Sequence, residues 1–208
     1  MSLQQKLDAG VRELGLDINA EVQAKLLDYL ALIVKWNKVH NLTAIREPEN
    51  MVTLHLLDSL AVLPYIEGQR LLDVGSGAGL PGIVLAICRP DLQVTTIDAV
   101  QKKASFMRQA KAELQIANLQ VQSGRVEQLK PEQPFDIVIS RAFSELALFI
   151  KLTKHLIAED GVWLAMKGVH PADELAKIDY QPSRIETLRV PGLDAERHLV
   201  FLPAGQLK

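Results

Sequence analysis

The sequence predicts an α/β protein built on a doubly wound, mainly parallel sheet of seven strands, with a helical N-terminal extension and a C-terminal hairpin. Three observations predict it. From residue 70 onward, short apolar runs alternate with stretches of helical periodicity. The first such run feeds straight into a glycine-dense turn, Asp73-Val74-Gly75-Ser76-Gly77-Ala78-Gly79-Leu80-Pro81-Gly82. Before residue 66 or so, only helical periodicity is present. The expected division is a helical cap over 1–66 and the sheet domain over 67–208.

In order along the chain, Ser2 and Gln5 have the spacing of a capping box, and Leu3, Leu7, Val11 and Leu14 follow at helical spacing up to Gly15. Asn19 is placed to cap a second helix with Val22, Leu26, Tyr29, Leu30, Ile33 and Trp36 on its apolar face. A third helical pattern covers 50–63 and ends at Pro64, leaving 36–43 as a polar, amide-rich connection. Strands are then expected over 70–74, 93–97, 119–122, 135–140 and 162–167, with helices over 80–88, 100–114 and 145–157. Alternation of this kind gives parallel strands with helices on both faces. The segments 183–190 and 199–202, joined through Pro191-Gly192, are expected to pair as an edge hairpin.

Composition narrows the class. A chain of 208 residues can bury one sizeable core. A formal net charge of −2 argues against a protein that coats nucleic acid electrostatically, while leaving room for local basic patches. No apolar run reaches the roughly 18 residues of a membrane span, and the charged first turns do not read as a secretory signal. The single cysteine, Cys88, precludes an internal disulfide and is expected to be a buried, inert thiol. A cytoplasmic monomer without a metal is the expectation.

The glycine turn reads in two registers. Gly77-x-Gly79-x-x-Gly82, with Asp98 following at the end of the second strand, has the spacing of a dinucleotide site and so of an NAD(P)-dependent oxidoreductase. Asp73-x-Gly75-x-Gly77-x-Gly79 resembles instead the first motif of class I methyltransferases, which bind S-adenosyl-L-methionine. An acidic strand end would oppose a pyrophosphate. It suits an ammonium and a sulfonium. A plain tight turn without a ligand is the remaining alternative. In both ligand readings Asp98 accepts from ribose hydroxyls.

Further candidates gather at the same sheet edge. Ser123-Gly124-Arg125-Val126-Glu127 follows the third strand and can present backbone groups and an apolar contact to an adenine. Ser140-Arg141-Ala142-Phe143 ends the fourth strand beside the switch point, where an arginine must find an acceptor, either a ligand or Asp73 or Glu127. Lys167-Gly168 ends the fifth strand in the same way. His55 and Asp58 are spaced so that they can touch on a helix, but no nucleophile accompanies them, so a satisfied structural histidine is expected. Lys102, Lys103, Arg108 and Lys111 form a basic helix face, for which solvation is the plain reading.

Together these segments resemble the bacterial small-subunit rRNA guanine-N7 methyltransferase family, RsmG or GidB. The resemblance covers nearly the whole chain. It rests on Trp36-Asn37 with Asn41-Leu42-Thr43, His55 with Leu57-Asp58-Ser59, 73–82, 134–143, Lys167-Gly168, and 192–199, which ends in Glu196-Arg197-His198-Leu199. Ser76 and Ala78 stand where Thr and Pro are familiar, and both are small enough to leave the turn intact. The resemblance implies a Rossmann-like class I fold and S-adenosyl-L-methionine as cofactor. It implies a guanine N7 in 16S rRNA as target, hence 16S rRNA or the small ribosomal subunit as partner. Cofactor contacts are expected from Asp73, Gly75, Gly77, Gly79, Leu80, Asp98, Val126, Glu127 and Arg141, with Arg141 also catalytic. RNA contacts are expected from Asn41, His55, Arg125, Lys167 and Arg197. N7 carries no proton, so transfer needs no general base, in keeping with the lack of an acid–base pair. A fold-conserving but non-catalytic RNA-binding protein is the other alternative.

Overall fold

A computed structural model of the chain describes residues 1–141, 143, 145–178 and 181–206. Helix α1 (Leu3–Glu13) opens on the predicted capping box: Ser2 Oγ accepts from the Gln5 N–H, and Gln5 Oε1 accepts from the Ser2 N–H. Helix α2 (Ala20–His40) is capped by Asn19, whose Oδ1 accepts from the Val22 N–H. It continues further than predicted, so Trp36 to His40 are helical, and Asn41 closes the helix at φ 48°. Buried Asn37 then fixes the following loop, accepting from the Thr43 N–H and donating to the Ile45 carbonyl.

The single helix expected over 50–63 is instead a composite. Helix α3 (Pro48–Met51) widens into a π-helical turn, Val52–Leu57, before α4 (Asp58–Leu60). Pro64 lies in a separate 3₁₀ turn, Leu63–Tyr65. Every residue from Met51 to Leu60 except Leu54 is buried, so an apolar periodicity reads straight through the irregular turn.

The sheet comprises β1 (Arg70–Val74), β2 (Gln93–Asp98), β3 (Leu119–Ser123), β4 (Phe135–Ser140), β5 (Ile157–Lys167), β6 (Arg184–Thr187) and β7 (His198–Pro203). Their order is β3-β2-β1-β4-β5-β7-β6, with β1 to β5 parallel and β7 antiparallel to both β5 and β6. The crossovers are α5 (Gly82–Cys88), α6 (Gln101–Glu113) and α7 (Leu146–Thr153), while a single 3₁₀ turn, Val126–Gln128, joins β3 to β4. A short α8 (Ala172–Leu175) follows β5. Helix α7 ends before the predicted 157 because Ile157 pairs with Phe135 and opens β5. At that point Thr153 Oγ1 accepts from Trp163 Nε1 at 2.8 Å and turns the chain back.

Two apolar layers enclose the sheet. Leu7, Leu26, Ile33 and Leu56 share one cluster with Ile83, Phe106 and Leu164, so the N-terminal helices and one sheet face have a common core. On the other face Leu72, Val138, Phe149 and Trp163 pack together. Cys88 is half-buried, and burial pushes its thiol up to about 12. No helix among the described residues is long and apolar enough to cross a membrane.

Candidate active site

The parallel strands β1 to β5 all end on one edge, and the chain leaves them at Gly75, Ala99, Gly124, Arg141 and Gly168. Ligands of open α/β sheets bind at such an edge. Two cavities lie there.

The first, of about 200 Å³, is lined by Val74, Gly75, Ile97, Asp98, Arg125, Val126, Glu127 and Phe143 among others. Gly75 and Gly77 both have φ above +60°, and a Cβ on either would meet nothing within 4 Å. The turn therefore keeps its left-handed residues bare on the side facing open space, where a ligand can approach the backbone. Asp98 is buried beneath it. Its Oδ2 accepts from the Gly77 N–H at 2.9 Å and its Oδ1 from the Val100 N–H at 2.8 Å, so each oxygen keeps a lone pair. An apolar slot with a carboxylate at one end and an open backbone cradle beside it fits a nucleoside. Arg125 and Glu127 pair at 3.8 Å on the rim.

Asp73 occupies a different place from the one predicted. Its carboxyl is fully buried under the turn and does not line the cavity: Oδ2 accepts from the Gly82 N–H at 2.8 Å, while Oδ1 is without a hydrogen-bond partner. Burial dominates its ionisation and raises it to about 6. A Cβ at Gly82 would come within 2.7 Å of Asp73 Oδ2 and 2.8 Å of Thr96 Cγ2, so glycine there lets α5 sit directly on β1 and β2. Leu80 is likewise a buried core residue. Tyr29 of α2 donates to the Ala78 carbonyl at 2.6 Å and ties the turn to the N-terminal helices.

The second cavity, of about 360 Å³, is lined by Ile45, Leu54, His55, Asp58, Arg141, Met166, Lys167, Gly168 and Arg197. Its centre is Asp58, whose side chain is only 4% exposed and receives two guanidiniums: Arg197 Nε at 2.9 Å on Oδ1 and Arg141 Nη1 at 3.3 Å on Oδ2. Arg141 Nη1 also donates to the Leu54 carbonyl in the π-helical turn at 3.0 Å. The acceptor of Arg141 is thus Asp58, not Asp73 or Glu127. His55 and Asp58 do not pair with each other. His55 Nε2 lies 3.1 Å from Thr43 Oγ1, and burial, reinforced by the Arg141 charge, lowers its ring to about 4, so it is neutral at pH 7. Lys167 donates to Glu174 Oε2 at 2.9 Å and to the Phe143 carbonyl at 3.0 Å, which makes it a brace for the segment after β4. That segment separates the cavities, with Arg141 lining one and Phe143 the other; Ala142 lies outside the described residues. Asn41 lines neither cavity; it is exposed and accepts from Arg46 Nη2.

Volume alone would point elsewhere. Two cavities of about 480 and 490 Å³ share Arg70, Gln93, Thr95, Gln120 and Phe135 toward the amino ends of the strands. Arg70 already donates there to Pro134, Gln93 and Gln133. Among the described residues, no group of three His, Cys, Asp or Glu side chains is placed to hold a metal ion.

A family model described as "rRNA small subunit methyltransferase G" (GidB) matches residues 22–200. The chain belongs to this family. It is 75% identical over 204 residues to the ribosomal RNA small subunit methyltransferase G of Methylobacillus flagellatus, covering 98% of this chain and 100% of that protein. Its identity to the protein of the same name from Laribacter hongkongensis is 52%, over 97% of this chain and 99% of the relative. Among solved structures, a SAM dependent methyltransferase from Aquifex aeolicus superposes with TM-score 0.56 at 19% identity, covering 76% of this chain and 94% of that one. The fold is that of class I methyltransferases, and the family decides between the two registers of the glycine turn against the dinucleotide one.

Proposed function

We propose that this rRNA small-subunit methyltransferase modifies N7 of a guanine in 16S rRNA, in the cytoplasm, using the two cavities for its two substrates. The observation that carries the reading is their arrangement: a nucleoside-shaped slot under a bare glycine turn, and beside it a wall bearing two guanidiniums on one buried carboxylate. The methyl donor is S-adenosylmethionine. When bound it would supply an electrophilic methyl group: the guanine N7 lone pair would form the new N–C bond as the C–S bond breaks, S-adenosylhomocysteine would leave as a neutral thioether, and the positive charge would pass to the base with no proton transferred.

Gly75, Gly77, Asp98, Val126 and Glu127 hold the donor's nucleoside end, and Asp73 acts one layer below, setting the turn on the start of α5. Gly79 and Leu80 shape that turn from inside. Arg141 and Arg197 bring two positive charges against the single negative charge of Asp58. The net charge left suits a phosphate or a guanine O6, while Asp58 tempers the field that the base meets as it becomes cationic. His55, neutral, adds no further cation. What these side chains contribute is position, and holding reactants in line is worth up to roughly 7–11 kcal/mol. The cap, 1–66, supplies one wall through Ile45, Leu54, His55 and Asp58.

The test is mass-spectrometric mapping of 16S rRNA from cells with and without the protein, paired with Arg141→Ala. A single 7-methylguanosine absent from the deletion strain, and lost in the folded variant, is the expected result. Full modification by Arg141→Ala would remove that residue from the mechanism. Donor binding without any modified nucleotide would favour a non-catalytic RNA-binding role.

A further inference from the structure

The first turn of helix α6 carries charge of the wrong sign for the helix's own stability, although Lys111 in its last turn has the favourable sign. Lys102 and Lys103 sit in its first turn, where the partial positive charge of the helix N-terminus favours acids, and Val100 at the N-cap provides no side-chain cap. Lys38 and His40, in the last turn of α2, have the sign that a helix C-terminus favours. The two helices adjoin: Trp36 meets Phe106 edge-on at 5.5 Å between ring centroids, and Tyr29 stacks on Phe106 at 6.3 Å. Phe106 lies one helical turn beyond Lys102 and Lys103, on the same face.

The charge of this surface is one-sided. Residues 29–46 and 99–112 hold seven of the chain's 23 Lys and Arg residues (Lys35, Lys38, Arg46, Lys102, Lys103, Arg108 and Lys111) and none of its 25 Asp and Glu. The rest of the molecule is strongly acidic by comparison. Among the described residues, none of the seven makes an ion pair, and neither segment holds an acid that could supply one. Beside Lys38, Val39 stands 74% exposed. Each segment also runs into the site at one end, since Ala99 lines the nucleoside cavity and Ile45 the other.

We infer that the C-terminal half of α2, its following loop and α6 form a docking surface for the phosphodiester backbone of folded RNA flanking the target nucleotide. The inference deepens the proposed function and rests on it for the identity of the RNA. An overall acidic protein that leaves unpaired cations at a helix N-terminus gains nothing structurally from them; a polyanion does. Asn41, outside both cavities, belongs to this surface, and so does the exposed Val39.

The experiment compares the wild-type chain with Lys35→Glu/Lys38→Glu and Lys102→Glu/Lys103→Glu, on full-length 16S rRNA and on 30S particles. Readouts are RNA affinity across a salt series, steady-state methyl transfer, donor affinity by calorimetry and the thermal midpoint. Each double variant is expected to raise KM for RNA at least tenfold, leaving kcat within about twofold and donor affinity and midpoint unchanged. Each phosphate contact contributes about 0.7–0.9 to the slope of log affinity against log salt, so each pair should lower the slope by about 1.4–1.8. Unchanged KM and slope in variants that still modify rRNA would overturn the docking surface and leave the proposed function standing. Salt-dependent rRNA binding through these lysines, with no methylated nucleotide formed by the wild type, would do the reverse. A loss seen only with 30S particles would assign the surface to a ribosomal protein and overturn the proposal.

Discussion

Replacing Asp58 by Asn keeps the side chain's shape and removes the one charge that holds both arginines. Two charge-assisted contacts are at stake. The Arg197 bond, at 2.9 Å, is well formed, while the Arg141 contact, at 3.3 Å, is long and is backed by the Leu54 carbonyl. Hydrogen bonds to charged groups contribute about 1.5–3 kcal/mol each, and breaking a buried pair costs about 3–5 kcal/mol. The carboxylate is buried, but the arginine side chains are 28% and 25% exposed, so water recovers part of the loss. The expected loss of stability is then about 2–3 kcal/mol. If orientation of the two guanidiniums is what the site contributes, the same energy appears in transfer, as a fall in kcat/KM of about 30- to 150-fold. Donor affinity should hold, because Asp58 does not line the nucleoside cavity. Urea unfolding, methyl-transfer kinetics on 30S particles and calorimetry with S-adenosylmethionine read the three quantities. A variant with wild-type kcat/KM, whatever its stability, would refute the view that Asp58 positions the arginines.

Two buried groups give opposite pH dependences. Asp73 ionises near 3.8 when unfolded and near 6 when folded, so the unfolded chain loses its proton first, and raising the pH from 4 to 6 lowers stability by about 2 kcal/mol through this group. The difference between wild type and Asp73→Asn in urea unfolding should show that slope, and a flat difference would contradict it. His55 titrates near 6.5 unfolded and near 4 folded, so its share of stability is complete above pH 6.5 and lost as the pH falls toward 4, by about 3 kcal/mol. His55→Asn should remove that loss below pH 6. Gly82→Ala forces a methyl against Asp73 and Thr96 and should lower stability by about 1–3 kcal/mol, measured as a reduced thermal midpoint.

What could be read in the sequence was local. Strands 70–74 and 135–140 have their predicted bounds because each is a short apolar run closed by polar or glycine residues, and the cap of α1 was visible as a four-residue pattern. The glycine turn likewise announced its left-handed residues. Asp58 was not legible, since its partners lie 83 and 139 positions away and no spacing connects them. Asp73 was recognised but given the wrong surroundings: the motif marks an acid at the strand end without saying which side of the turn it faces. Lys167 is readable as a strand-end cation in need of an acceptor, but that Glu174 of the next helix supplies it is not. The wide turn at Val52–Leu57 was hidden by burial on nearly all sides, which erases the polar stripe that would have betrayed a change of period.

That wide turn makes the site depend on chain length as well as composition. A π-helical turn holds one residue more than the α-helical turn it replaces, so deleting one residue between Val52 and Leu57 would close it into ordinary helix and leave the flanking turns near their present faces. Asp58 would stay close to Arg141 and Arg197, but Leu54 would return its carbonyl to the helix ladder and Arg141 would lose that acceptor. The backbone would be more regular, and Arg141 would be left on its long contact with Asp58 without the carbonyl behind it. The extra residue thus converts a backbone carbonyl from helix ladder to side-chain anchor.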